Sequence, residues 1–239
     1  MSDVEWTLIG TTAFLGAVAI FAAVWGPALG ELVKRKVFTP DLEVLFEPRP
    51  PFCHRTFWRS TTDPNLEEPV HFFRFEVRNN GKTLARRCEA TIEELWIYDA
   101  ADKPHKHENF SPVNLSWSGK GIEGPIQFRD INPKREGIYC DIGHISSPSY
   151  QEREERARCV DVPGRGNDDL RLVLEQTMVL FSQPNCLARG KYAIKVLLHS
   201  ENAPYRHQEV FFEIVWSGEW QKETEEMLRE AVVTRVNHL

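Results

Sequence analysis

Phe73-Arg74-Phe75-Glu76-Val77-Arg78-Asn79-Asn80-Gly81 alternates apolar and charged side chains and then stops on a turn. Successive side chains of a β-strand point to opposite faces. The stretch therefore reads as a strand with Phe73, Phe75 and Val77 in a core and Arg74, Glu76 and Arg78 outside. Asn79-Asn80-Gly81 ends it with residues that tolerate positive φ. The same period recurs downstream. Cys88, Ala90 and Ile92 alternate, and the phase slips at Glu93-Glu94 so that Leu95 and Ile97 continue on odd positions. That slip predicts a β-bulge or a bend between two strands. Shorter runs are Ile126 with Phe128, Ile138 with Cys140 and Ile142, and Leu170 with Leu172 and Leu174. The clearest are Tyr192, Ile194, Val196 and Leu198, then Val210, Phe212, Ile214 and Trp216. About nine short strands with turn signals between them, and no long helix, predict an all-β antiparallel sandwich over residues 70–217 rather than βαβ units.

The flanks have other periods. From Trp6 to Gly30 there is no Asp, Glu, Lys, Arg or His. About 20 apolar residues cross a ~30 Å hydrocarbon core, so residues 6–30 are expected to form one transmembrane helix. Trp6 and Trp25 lie at its ends, where indole rings favour the membrane interface. A cleaved secretory signal would carry a basic start, whereas Asp3 and Glu5 make this one acidic. Residues 31–69 form a connector with a basic juxtamembrane cluster, Pro48, Pro50 and Pro51, and one strand at Leu42 to Glu47. In residues 218–239, Thr224, Met227, Leu228, Ala231, Val232, Arg235 and Val236 fall near one face of a helix. They predict a C-terminal amphipathic helix, docked on the sandwich or used for partner binding or dimerisation. Small residues at four-residue spacing, such as Ala13 with Ala17, offer a second route to a homo-oligomer through the membrane helix.

Lys34, Arg35 and Lys36 follow the span and no Lys or Arg precedes it. The positive-inside rule then places the N-terminus outside and the C-terminal domain in the cytoplasm. Cys53, Cys88, Cys140, Cys159 and Cys186 are odd in number and widely spaced, which suits reduced thiols better than a disulfide framework. A net charge of -6 lacks the basic footprint of a chain that binds phosphate backbones, so no nucleic-acid partner is expected.

Phe73 to Ala85, a strand followed by Asn79-Asn80-Gly81 and small residues, resembles a signature of immunoglobulin-like adhesion and CARDB-type domains in prokaryotic surface and membrane proteins. Leu187-Ala188-Arg189-Gly190-Lys191-Tyr192 is similar to the approach to a late strand in those domains, where the Tyr makes a corner contact; this chain has Ala188-Arg189 where they carry a Pro. The resemblance implies an immunoglobulin-like fold used for binding, with no catalytic residues to carry over.

Motifs for acyl transfer, nucleotide binding and zinc are absent, and no cofactor is expected. His105 and His107, with Asp102 nearby, are the candidate metal ligands, set against a solvated turn around Pro104. Asp130, Asp141 and His144 form a second cluster, readable as an acid–base pair or as surface-facing positions. Gly166-Asn167-Asp168-Asp169 lacks the carboxylate spacing of a calcium loop. Cys88 and Cys140 fall on expected buried faces. The mixed-sign run Gln151 to Arg158 reads as a solvated loop or short exposed helix, with a docking surface as the alternative. Residues 99–113 and 146–168 are the expected binding loops. The expected function is a non-enzymatic, single-pass membrane protein whose sandwich binds a protein partner as an adaptor or complex subunit. The alternatives are a membrane-tethered metal-dependent hydrolase using His105 and His107, and an extracytoplasmic adhesion module.

Overall fold

The computed structural model describes residues 25–26, 39–59, 67–121, 124–162, 170–180, 183–203 and 207–238. Trp6, Lys34, Arg35 and Lys36, nearly all of the expected span 6–30 and the acidic stretch 166–169 lie outside them. Trp25 is helical and exposed. Among the described residues no helix is long and apolar enough to cross a membrane.

The strands are β1 (Leu42–Leu45), β2 (Cys53–Arg59), β3 (Glu67–Asn79), β4 (Ala85–Tyr98), β5 (Pro104–Lys106), β6 (Val113–Asn114), β7 (Trp117–Gly121), β8 (Gly124–Ile126), β9 (Arg129–Ile131), β10 (Ile138–Ser146), β11 (Leu172–Leu174), β12 (Cys186–Leu187), β13 (Gly190–His199), β14 (Gln208–Trp216) and β15 (Ala231–Val236). Among the described residues they make two antiparallel sheets. One runs β1-β3-β10-β11-β12, with β2 on β3 and β7 on β10; the other runs β15-β14-β13-β4-β5. The connector thus holds two strands rather than one, and β3 begins three residues earlier than the alternation suggests.

The alternating residues meet between the sheets as expected. Phe73, Phe75 and Val77 of β3 share one core with Ile92 and Leu95 of β4, Ile194 of β13 and Phe212 of β14. Phe75 stacks on Phe212 across the interface at 5.5 Å. Full burial of such a side chain stabilises by about 1.5–3 kcal/mol. The two largest core residues are also satisfied as donors: Trp117 Nε1 bonds Gln127 O at 3.0 Å and Trp216 Nε1 bonds Leu170 O at 3.0 Å.

The phase slip at Glu93-Glu94 is a bulge. Lys195 pairs with Glu94 and Val196 with Ile92, leaving Glu93 as the extra residue. The Asn79-Asn80-Gly81 turn works differently from expectation, because Gly81 does not take positive φ. A Cβ there would lie 2.7 Å from the Asp41 nitrogen, so the glycine provides room. Asn79 fastens the turn, accepting from Asp41 N and Gly81 N and donating to Thr83 O and Ile131 O. The Tyr192 hydroxyl donates to Ala188 O at 3.0 Å, the corner contact expected from the resemblance, made without a proline.

The C-terminal amphipathic helix over 218–239 is corrected. Only α1 (Thr224–Glu230) is helical, and β15 follows it directly, pairing Ala231 to Val236 with β14. Ala231 and Val233 are buried while Val232 and Thr234 are exposed, a period of two that tertiary pairing favours over the helix. The stripe is therefore spent on the sheet and on the core contact of Met227.

Candidate functional site

The outer face of the first sheet carries the site, and an irregularity in β10 creates it. Cys140 pairs with Phe75 and Asp141 with Arg74; the next pairs are Gly143 with Phe73 and His144 with Phe72. Ile142 is the extra residue of this second bulge. Strict alternation would send Asp141 and His144 to opposite faces, and the bulge turns both outward, beside Phe72 and Arg74. Gly143 allows it. A Cβ at this position would sit 2.6 Å from the Val173 carbonyl oxygen of β11.

A roof covers that face. Residues 148–158 wind through three short helical turns, Pro148–Tyr150, Gln151–Glu155 and Arg156–Arg158. Several anchors hold them to the sheet. Ser147 and Ser149 each donate to Glu68 at 2.8 Å. Gln151 exchanges two bonds with the Arg171 backbone, at 2.9 and 2.7 Å. Cys159 is joined to Cys186 of β12. This disulfide corrects the expectation of five reduced thiols: the chain leaving the roof runs alongside β12, bringing together cysteines 27 residues apart in sequence.

Between roof and sheet lies a cavity of about 660 Å³, within the size range of small-ligand sites. One end is aromatic. Trp58 packs against Phe72 at 5.6 Å, Tyr150 at 5.5 Å and the His144 ring at 4.5 Å. The other end is polar, with Ser118, Asp141, Glu175 and Gln176.

His144 sits between the two ends, 4% exposed. Its Nδ1 donates to Glu175 at 2.6 Å and its Nε2 to Glu155 at 2.8 Å. Burial opposes the charge on the ring, but Glu175 and Glu155 together outweigh it and push His144 up to about 10. It is an imidazolium at neutral pH, with the Trp58 ring beside it as a further favourable contact for a cation. Burial also works against Glu155, yet the bonds from His144 and Ser146 hold its carboxyl below the usual range. Asp141 is pushed up to about 6 by burial, against the hydrogen bond donated by Ser118 and with the help of Glu175. His54 is lowered to about 4 by burial, then by Arg74 and His71, and stays neutral.

Both ring nitrogens of His144 are committed to carboxylates, so this ring has no lone pair left to act as a base. The thiols of Cys53 and Cys88 are each pushed up to about 12 by burial, and that of Cys140 is also raised, in the core.

The sequence-derived candidates separate. Asp141 and His144 share the cavity, whereas Asp130 accepts from the Arg87 backbone in another part of the fold. His105 lies on β5 rather than in a loop, exposed and bonded to Asp99 at 2.8 Å. Asp102 pairs with Lys191 at 3.0 Å, and His107 follows the strand. Among the described residues no three His, Cys, Asp or Glu side chains are grouped to hold a metal ion. Of the two expected binding loops, the described part of 146–168 supplies the roof, through residues 148–158, and 99–113 does not line the cavity. Trp58, Glu155 and Glu175 were not singled out from sequence; for Trp58 the signal was there, in the His54, Thr56, Trp58 alternation. No family model matches the chain, and neither a curated protein nor a solved structure matches it.

Proposed function

We propose that this chain is a membrane-anchored, non-enzymatic recognition protein. Residues 6–30 hold an immunoglobulin-like sandwich at the bilayer, and the roofed cavity on its first sheet binds a protein partner, as an adaptor or as a subunit of a membrane complex. The observation that carries this reading is the cavity itself: an aromatic and acidic site whose histidine is already neutralised from both sides. His105 is bonded to Asp99 and Asp102 is paired with Lys191, which speaks against the hydrolase reading. The full chain, purified in mild detergent with its co-purifying proteins identified, provides the test. Val179→Arg with Pro125→Arg, two exposed positions at the cavity mouth, is expected to lower partner recovery at least about tenfold. Val215→Arg, on the outer face of the opposite sheet, should leave it unchanged. Equal recovery from all three proteins would end this reading.

A second reading concerns the side of the membrane. Lys34, Arg35 and Lys36 favour the cytoplasm. The Cys159–Cys186 disulfide favours an extracytoplasmic module, because cytosolic thiols are kept reduced. Alkylating the protein as it is denatured directly from cells separates the two: Cys53, Cys88 and Cys140 alone react if the domain matured in an oxidising compartment. Reaction of all five cysteines rejects that compartment and leaves the cytoplasmic placement.

A further inference from the structure

The polar end of the cavity is rich in acceptors and poor in donors. Asp141 and Glu175 flank Ser116, whose carbonyl accepts from Asp141 N at 2.9 Å and whose N–H donates to Glu175 O at 2.8 Å. Gln176 follows, 7% exposed, and its Oε1 has no hydrogen-bond partner. A buried acceptor without a donor is destabilising unless a ligand or water supplies one.

The cations of the cavity are occupied or peripheral. His144 is held by Glu175 and Glu155. Arg74 donates its Nε to Pro51 O at 2.8 Å and lies 4.2 Å over the Tyr139 ring. Arg158 is exposed at the rim, where Glu154 lies on the same roof, and His54 is neutral. An anion would meet Asp141, Glu155 and Glu175, whose charges His144 and Arg74 already serve to offset. Asp141 already has the Ser118 hydrogen bond and the nearby charges of Arg74 and His144, and burial still outweighs them, so a cationic ligand adds compensation that a neutral one does not.

We infer that the cavity takes a cationic nitrogen group, an alkylammonium or alkylguanidinium, with its N–H donors on Asp141, Glu175 and Gln176 and its alkyl stem along Trp58, Phe72 and Tyr150. Charge-assisted hydrogen bonds of this kind are about twice as strong as neutral ones, and an aromatic wall beside the stem suits a desolvated cation. The inference deepens the recognition reading and rests on it. The same chemistry arrives on a free amine or guanidine compound or on a Lys or Arg side chain of a protein.

Calorimetric titration of the full chain in detergent tests it, with butylammonium, butylguanidinium and a blocked Gly-Arg-Gly peptide as cations, butylurea as the neutral shape and valerate as the anion. At least one cation is expected to bind about tenfold or more tighter than butylurea or valerate. Its affinity should rise from about pH 5 to about pH 7.5 as Asp141 gives up its proton. Asp141→Asn should cost about tenfold, and Gln176→Met a smaller factor; near-ultraviolet circular dichroism shows which variants are folded, and if Asp141→Asn is not, Gln176→Met decides. Tighter binding of the peptide assigns the group to a protein, and equal or tighter binding of the free compounds assigns it to a small molecule. No cation bound at millimolar concentration, butylurea or valerate bound as tightly, or unchanged affinity in the folded variants overturns the inference. If it fails while Val179→Arg with Pro125→Arg still releases the partner, the recognition reading stands without it.

Discussion

His144 makes stability depend on pH in a direction that can be worked out. Its folded value, about 10, lies above the 6.5 of an unfolded imidazole. The stabilisation is therefore complete below pH 6.5 and is lost as pH rises towards 10, with a slope of about 1.4 kcal/mol per pH unit for one proton. Glu155 acts at the other end. Its folded value lies below 4.5, so its contribution is present above pH 4.5 and is lost as pH falls through the folded value. Asp141 has the opposite sign, because its carboxyl is raised from 3.8 to about 6 and stability falls as pH climbs through that window. Urea denaturation from pH 6.5 to 10 should show the alkaline loss in the native protein and a flatter profile in His144→Gln. A native profile flat across that range would remove the buried imidazolium. Asp141 and His144 were legible as a pair from their proximity in sequence. The partners that define His144 were not, since Glu155 and Glu175 stand 11 and 31 positions away and only the fold brings them together.

At the scale of elements, the site depends on how closely β11 approaches β10. Gly143 pairs with Leu174, and the Val173 carbonyl occupies the space a methyl group would need. Gly143→Ala must push β11 outward or strain the bulge, and is expected to cost about 1–3 kcal/mol of stability, measured as a lower urea midpoint at unchanged slope. A midpoint equal to that of the native protein would mean that β11 moves at no cost and that the close approach is not needed. Long strands were readable because β13 and β14 keep their alternation over four apolar positions each. The bulge at Glu93 was readable too, because it shifts a run that is long on both sides. The one at Ile142 was hidden: Ile138, Cys140 and Ile142 keep phase up to the slip, and only Ile145 follows it. The C-terminus misled for a related reason. Met227, Leu228, Ala231 and Val232 satisfy a helical stripe, yet Ala231 to Val233 equally satisfy the edge of a sheet, and pairing with β14 decides between them.

For the molecule as a whole, the sandwich was legible and the face that carries the cavity was not. The outward positions of β3 and β13 look alike in sequence: Arg74 and Glu76 on one, Lys191 and Lys195 on the other. What distinguishes the two sheets is the mixed-sign segment 148–158, whose charges suit a solvated loop and whose anchors, Ser147, Gln151 and Cys159, are unremarkable singly. Docking of the roof on the sheet follows from those anchors acting together, and no local period records it.

The placement of β1 has a mechanical consequence. It is a four-residue edge strand on the N-terminal side of the domain, laddered to the far part of β3 from Leu42 with Asn79 to Leu45 with Glu76, and linked to the final strand through Arg235 and the Val44 carbonyl. The cavity is built on β2, on β3 at Phe72 and Arg74, and on β10 and β11. A pull entering from the residues before Thr39 loads the short ladder and the Arg235 link first. Under tension β1 is expected to yield as a mechanical fuse before the strands that wall the cavity.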